Sequence, residues 1–440
     1  MARLNVSRTQ PKVFTHEGAP AYGHLKPLAQ LRRSVLSCLL WEDEFYEDGK
    51  AIADRIVENA LLVKPEELAS LAIEARKVFN LRHVPLLLLD ILSKTGPQLM
   101  AETTSRVISR ADEMSELLAV HWRDGRKPVP RQMRKGLARA FAKFDEYRLA
   151  KYDRDSAIKL RDVLRIARPK PANDEQSALY KRVKDRTLKI PDTWEVALSG
   201  GANKKEAFER LLKEDQLGYL ALLRNLRNMA QAGVDDSLVR DAIIARNGGA
   251  QMMFPFRFIA AARAAPQYEP WLDMALQEAI TELPIYDGKT VILIDVSGSM
   301  YWAMSSKSDM KRIDAAAALG AIVPGDIKLF TFSNHIVEIP PRRGMAGVDA
   351  IMNSQSHGST NLGAALSWLD LNVKADRLIV VTDEQSHDRV VRPKSFVKSY
   401  LINVASNKNG VGYDDGWKHI DGFSESILRY ISEIEKENEH

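Results

Sequence analysis

Cysteine is almost missing from this sequence: Cys38 is the single one among 440 residues. That excludes an internal disulfide and any cysteine-based zinc site, and it suits a reducing compartment. Long apolar runs are missing too. No stretch of about 18 uninterrupted apolar residues occurs, so no membrane span is expected. The opening MARLNVSRTQPKVF contains no apolar segment of signal-peptide type. A cytoplasmic protein is the expectation. Catalytic signatures are equally scarce, with no HExxH, no P-loop and no GxGxxG after a strand. Cys38 sits in an apolar helical run, where a thiol is core material.

What is present is an ordinary globular composition, 45% hydrophobic and 28% charged, in a chain long enough for two or three domains. The net charge of +5 conceals an uneven distribution. Residues 281–440 carry 17 Lys/Arg against 21 Asp/Glu, whereas residues 121–190 carry 21 against 9. A local excess of this size points to a polyanionic partner; the plain alternative is a solvated face with none.

Residues 1–24 contain turn formers without periodicity and read as an extended arm. Beyond them, apolar residues recur at three and four as far as residue 268. This spacing predicts helices over 28–40, 51–62, 65–78, 84–94, 103–120, 129–144, 157–167, 173–186, 204–213, 219–232, 237–245 and 254–265. Breakers such as Gly96-Pro97, Pro128, Pro169, Gly200-Gly201 and Gly233 separate them. Helices joined by short loops specify an antiparallel array or a solenoid with degenerate repeats. After Pro266 the texture changes. A helix over 269–281 leads into strands at 291–295, 327–332, 377–382 and 400–404, interleaved with helices at 309–322, 348–353, 361–369 and 424–435. Such alternation predicts a doubly wound parallel sheet. The expected units are the arm at 1–24, a helical module at 25–268 and an α/β unit at 269–440.

The most specific chemistry lies in VILIDVSGSM, residues 291–300. A buried-strand run ends in Asp295, followed at two-residue steps by Ser297 and Ser299. In a doubly wound sheet, ligands gather at the carboxyl ends of strands. Two further loops reach the same edge: HGST supplies Thr360, and TDE supplies Asp383, 65 and 88 residues beyond Asp295. Two carboxylates and three hydroxyls form a sparse oxygen site completed by water, which suits Mg²⁺. The bland reading of the hydroxyls is turn and N-cap chemistry. His387 lies four residues beyond Asp383, either at the metal edge or on a surface loop. Asp383-Glu384 beside a metal also admits a nuclease reading, but the motif supplies no base and no catalytic activity is expected.

This DxSxS, Thr, Asp series resembles the metal-ion-dependent adhesion site of von Willebrand factor A domains. The helical segment has its own resemblance. LALLRNLRNM at 220–229, MFPFRFIAAA at 253–262, Lys151-Tyr152, RDVLR at 161–165 and RPKP at 168–171 are similar to signature segments of the TROVE module. GFSESILRYI at 422–431 looks like that family's final helix. A TROVE module followed by a von Willebrand A domain is the architecture of the Ro autoantigen family and its bacterial relatives. The resemblance implies a ring of HEAT-like helical repeats closed by the A domain. It implies binding of Y or Y-like RNA on the basic outer surface and of single-stranded 3′ ends of misfolded RNA in a central hole. It also implies RNA quality control or scaffolding, with a tethered 3′ exoribonuclease in some bacterial members. A monomer is expected, with neither DNA nor membrane as partner. Two departures stand out. Arg168 occupies a place where the family usually has His, keeping the charge but not the imidazole chemistry. Asp155 stands where members place a basic residue, with Arg154 beside it.

The residues themselves lead the same way. In 129–144, Arg131, Arg134, Lys135, Arg139 and Lys143 recur at helical steps opposite the apolar stripe Met133, Leu137, Ala140, Phe141 and Phe144. Arg161, Arg165 and Arg168 share one face beside Leu160, Val163, Leu164 and Ala167. Arg131, Arg134, Lys135, Arg139, Lys151, Arg154, Arg161, Arg165 and Arg168 form the expected RNA-contacting set, reading phosphates and shape and not base edges. The expected function is a non-catalytic RNA-binding ring. The alternative is a Mg²⁺-dependent protein-binding scaffold, and a third reading is the nuclease.

Overall fold

Prolines start several helices, where a missing N–H costs nothing and a fixed φ is already helical. Pro65, Pro97 and Pro255 each occupy the first position of a helix. The computed structural model describes residues 13–21, 26–36, 49–79, 81–153, 156–190, 193–194, 196, 203–247, 255–303, 310–405, 410–412, 416–422, 427–428, 431–432 and 435. Cys38, the end of the helix expected over 28–40, and Met253-Phe254 lie outside the described residues.

The helical part runs through α1 (Pro27–Leu36), α2 (Gly49–Leu62), α3 (Pro65–Lys77), α4 (Val84–Thr95), α5 (Pro97–Val107), α6 (Asp112–His121), α7 (Arg131–Phe141), α8 (Glu146–Tyr152), α9 (Leu160–Ala167) and α10 (Asp174–Asp185). It continues with α11 (Lys204–Lys213), α12 (Tyr219–Ala232), α13 (Asp236–Ala245), α14 (Pro255–Ala264) and α15 (Glu269–Thr281). The helix expected over 103–120 is in fact the end of α5 and the whole of α6. Glu113 holds the break: its Oε2 accepts from the backbone N–H groups of Ser109, at 2.7 Å, and Arg110, at 3.1 Å, which fixes the turn ahead of α6. Helix α8 was not anticipated. Asp145 starts it by accepting from the Arg148 N–H at 2.7 Å, a signal hidden inside a charged stretch.

The second half holds β3 (Thr290–Asp295), α16 (Arg312–Ile322), β4 (Ile327–Phe332), β5 (Ile336–Ile339), α17 (Gly344–Met352), α18 (Leu362–Asn372), β6 (Arg377–Thr382), β7 (Lys398–Asn403) and β8 (Lys418–Asp421). The strand order is β5-β4-β3-β6-β7-β8. All neighbours are parallel except β4 and β5, so the expected all-parallel sheet is a mixed one. The Ser333–His335 turn is far too short for a crossover, which forces β5 to run antiparallel. Strands β5 and β8 are four-residue edges, IVEI and KHID, without the apolar run that marks a central strand. By contrast β3 is buried along its whole length, because both faces are covered. A short hairpin pairs β1 (Val13–Phe14) with β2 (Pro20–Ala21).

Two cores organise the helices. Leu31 to Val183 form one. The other runs from Phe208 to Ile431 and joins α11–α15 to one face of the sheet, through Ile292, Ile294, Ile379, Val381 and Ile402. The opposite face, with Val291, Leu293, Leu378 and Val380, packs against Leu362, Leu366 and Leu369 of α18. No helix among the described residues is long and apolar enough to cross a membrane.

A buried polar cluster pins the C-terminal segment to the sheet. Glu435 accepts from Arg377 through Nε at 2.6 Å and Nη2, from Lys398 Nζ at 2.8 Å and from the Tyr400 hydroxyl at 2.9 Å. Burial alone would raise the Glu435 carboxyl, but Arg377, Lys398 and Tyr400 outweigh it and hold the group at about 2. Since the folded value lies below the unfolded one, this stabilisation is present above the ordinary Glu range and is lost as pH falls through about 2. Glu435→Gln, which leaves Arg377 with a neutral partner, should cost about 3 kcal/mol near neutrality. In melting curves the gap between the two proteins should be narrower at pH 3 than at pH 7; an equal gap would remove the carboxylate from the account.

Candidate nucleic-acid interface and metal centre

Asp295 closes β3 with its carboxylate buried. Oδ1 accepts from the Ser297 N–H at 2.9 Å and Oδ2 from the Thr382 hydroxyl at 2.6 Å. The Ser297 and Ser299 hydroxyls lie 3.4 Å apart. A hydrogen bond from Gly298 N to the Gly358 carbonyl, 3.1 Å, joins this loop to the one carrying Thr360. The Thr360 carbonyl in turn accepts from His387 N at 2.8 Å and Ser386 Oγ at 3.1 Å, which ties in the loop after β6. Asp383 Oδ1 accepts from Gln385 N at 3.1 Å. Asp295, Ser297, Ser299, Thr360 and Asp383, expected from spacing alone, are all buried at this one sheet edge. Burial, and then the neighbouring Asp383 carboxylate, raises the Asp295 carboxyl above its usual range. Arg312, at the start of α16 and 2% exposed, brings Nη1 to 3.9 Å from Asp383 Oδ2. The donor set is two carboxylates and three hydroxyls; among the described residues no cluster of three or more His, Cys, Asp or Glu assembles.

His387 stands on the rim. Its ring lies 2.6 Å from Glu17 and 3.1 Å from the Ser359 hydroxyl, and it accepts from Thr360 N at 3.2 Å. It therefore links the oxygen-donor edge to the N-terminal hairpin. Three more bonds do the same: Thr15 Oγ1 donates to the Ser386 carbonyl at 2.7 Å, Ala19 N to the same carbonyl at 3.2 Å, and His16 N to Gln385 Oε1 at 2.9 Å.

Glu384, weighed in the sequence only as a nuclease carboxylate, has a structural task instead. It sits at φ +61°, fully buried. Its carboxylate pairs with Arg33 of α1 at 3.0 Å and with His419 of β8, and accepts from Val411 N at 2.8 Å and Gly412 N at 3.1 Å. Burial disfavours the charge, yet Arg33 and His419 prevail and hold the group at about 2. His419, which burial would lower, is pushed up to about 9 by Glu384 and Asp421. Nearby, Gly422 at φ +92° lets the chain approach α1: a Cβ there would lie 2.3 Å from the Leu36 carbonyl. The first helix is thus bolted to the last strand. No sequence signal marks the pair, whose partners lie 351 residues apart.

The cationic residues are carried elsewhere. In α7, Met133, Leu137, Ala140 and Phe141 are buried, while Arg131, Arg134, Lys135 and Arg139 face outward. Gly136 lets α7 lie against α5, since a Cβ there would come within 2.6 Å of Thr104. In α9, Leu160 and Val163 are buried, and Arg165 and the cap residue Arg168 are exposed. Among the described residues none of these six cations has a carboxylate partner. Arg161 is half-buried, its Nε 4.0 Å from Asp162, and Lys151 is half-buried at the end of α8. Lys143 has a different role, donating to the Ser105 and Ile108 carbonyls (2.7 Å to Ile108) at the end of α5. Arg154 and Asp155 lie outside the described residues.

A TROVE domain model matches residues 175–273, which span α10 to α15. That stretch of the chain is similar to a TROVE domain. The telomerase protein component 1 of Mus musculus is 32% identical over 95 residues, 21% of this chain and 4% of that protein, so the chain spans a small part of it. The crystal structure of the Deinococcus radiodurans RO (RSR) protein has a similar fold, with a TM-score of 0.61 at 17% identity over 92% of this chain and 98% of that one. The basic helices α7 and α9 precede the matched span.

Both Arg33→Ala, which leaves Glu384 buried without its guanidinium, and Gly422→Ala, which crowds Leu36, should release α1. The expected cost of the first is about 3–5 kcal/mol. Hydrogen exchange should accelerate across 27–36 while 290–295 stays protected; unchanged protection of 27–36 in both variants would refute the bolt.

Proposed function

We propose that the chain is a non-catalytic RNA-binding ring, with HEAT-like helices over 25–268 closed by a von Willebrand factor A-like unit over 269–440 and preceded by the arm at 1–24. The observation that carries this reading is the outward face of α7 and α9, with six cations on packed helices and no carboxylate partner among the described residues. A face meant only for solvent normally intersperses acids. Small structured RNA of Y or Y-like type is the ligand read for this surface, held through phosphates. Single-stranded 3′ ends of misfolded RNA would enter the central opening, and the role is RNA quality control or scaffolding in the cytoplasm.

In the same reading Asp295, Ser297, Ser299, Thr360 and Asp383 hold Mg²⁺ or another divalent cation. The buried hard-oxygen set fits such an ion. Bound there, the ion supplies a positive charge at the sheet edge. Arg312 already brings one beside Asp383, which limits affinity for a second. These five oxygens also favour the second reading, a scaffold that captures an acidic side chain through the ion.

Two experiments separate the parts. Binding to a stem with a single-stranded 3′ tail should weaken steeply with salt, and Arg134→Glu with Arg165→Glu should lower affinity at least about tenfold and reduce the salt slope by about two. A salt-independent affinity, or none for RNA, would leave the scaffold reading. Mg²⁺ should raise the melting temperature of the wild type and not of Asp295→Ala, whose RNA affinity should be unchanged. Equal Mg²⁺ responses of the two proteins would dismiss the ion site.

A further inference from the structure

Beside the cationic face is a cleft of ≈ 450 Å³ that phosphate binding does not need. Trp122, Ile158 and Ile166 give it apolar walls, Arg126 and Arg165 stand at it, and Asp162 supplies the single carboxylate in its lining. Arg126 lies over the Trp122 ring at 5.0 Å, and the indole N–H is fixed by the Lys127 carbonyl at 2.7 Å. Asp162 Oδ2 accepts from Lys159 N at 3.0 Å, which orients the carboxylate on the first turn of α9. An aromatic surface, an acceptor and flanking guanidinium groups are what a splayed-out base requires: stacking, an edge to pair with and charge for its phosphates.

We propose that this cleft takes one unpaired nucleotide of the bound RNA, with guanine preferred. This deepens the RNA-binding reading and rests on it. The volume admits a base with its sugar and is far too small for a paired helix. Guanine follows from the carboxylate. Its N1–H and N2–H₂ donors lie side by side and match the two oxygens of Asp162, which keep spare lone pairs beyond the bond from Lys159. Uracil offers one N–H between two carbonyls, which a carboxylate repels. The base then stacks on the Arg126 guanidinium that lies over Trp122, and Arg165 meets the flanking phosphate. The helix faces hold the RNA; the cleft selects the register in which a bulged or flanking nucleotide is placed.

The test uses the full chain and four stems that differ at one position: fully paired, or with a single bulged guanine, inosine or uracil. The bulged-guanine stem should bind at least about tenfold tighter than the other three, inosine losing the advantage because it lacks the 2-amino group. Asp162→Asn and Trp122→Ala should abolish that advantage while leaving affinity for the fully paired stem unchanged, and Trp122→Phe should retain part of it. The paired-stem affinity serves as the folding control. Equal, salt-dependent binding of all four stems overturns the cleft and leaves the phosphate surface standing. No binding of any stem overturns both.

Discussion

One buried charge cluster holds the molecule's ends together. Glu384 carries its charge with no exposure, which is tolerable because Arg33, His419 and two backbone N–H groups surround it. Arg33 belongs to the first helix, Glu384 to the loop after a central strand and His419 to the edge strand. Within the array, helices pack on their neighbours and on the next helix but one, as α5 does on α7. This cluster fixes α1 against the sheet, and Gly422 lets the chain pass close to Leu36.

The same loop also belongs to the oxygen-donor edge. Asp383 and Glu384 are adjacent but face different tasks: the first joins Asp295 at the strand ends, the second anchors α1. The arm residues Thr15, His16 and Ala19 bond to Gln385 and Ser386. The end of β6 is therefore a junction where arm, first helix, sheet and ion-type loops meet. The cationic helices α7 and α9 sit in the other core, with their charges turned to solvent. The cationic face and the carboxylate edge are thus carried by different parts of the fold.

Much of this was legible in the sequence. Apolar spacing marked α7 with its buried Met133 and Leu137, and the run Val291–Ile294 marked a strand covered on both faces. The five oxygen donors were legible because strand ends in a doubly wound sheet converge by topology. Other features were not. Glu113 divides α5 from α6 through two backbone bonds, a choice that helical periodicity cannot express. Strand β5 reverses because its turn is short, and β8 is too polar to stand out. The cleft at Trp122 is assembled from residues 122–126 and 157–166, which no spacing relates.

What the sequence determined by itself was local and periodic: which faces are apolar, where charge accumulates, and which carboxylate and hydroxyls end the strands. These follow from 3.6-residue and two-residue repeats that act over one element at a time. What the tertiary structure decided was pairing across distance. Arg33 with Glu384 and Glu435 with Arg377 depend on how elements pack, and burial then sets the energy of each charge. A buried charge must find its partner wherever the fold brings one, and the chain order of the partners carries no trace of it.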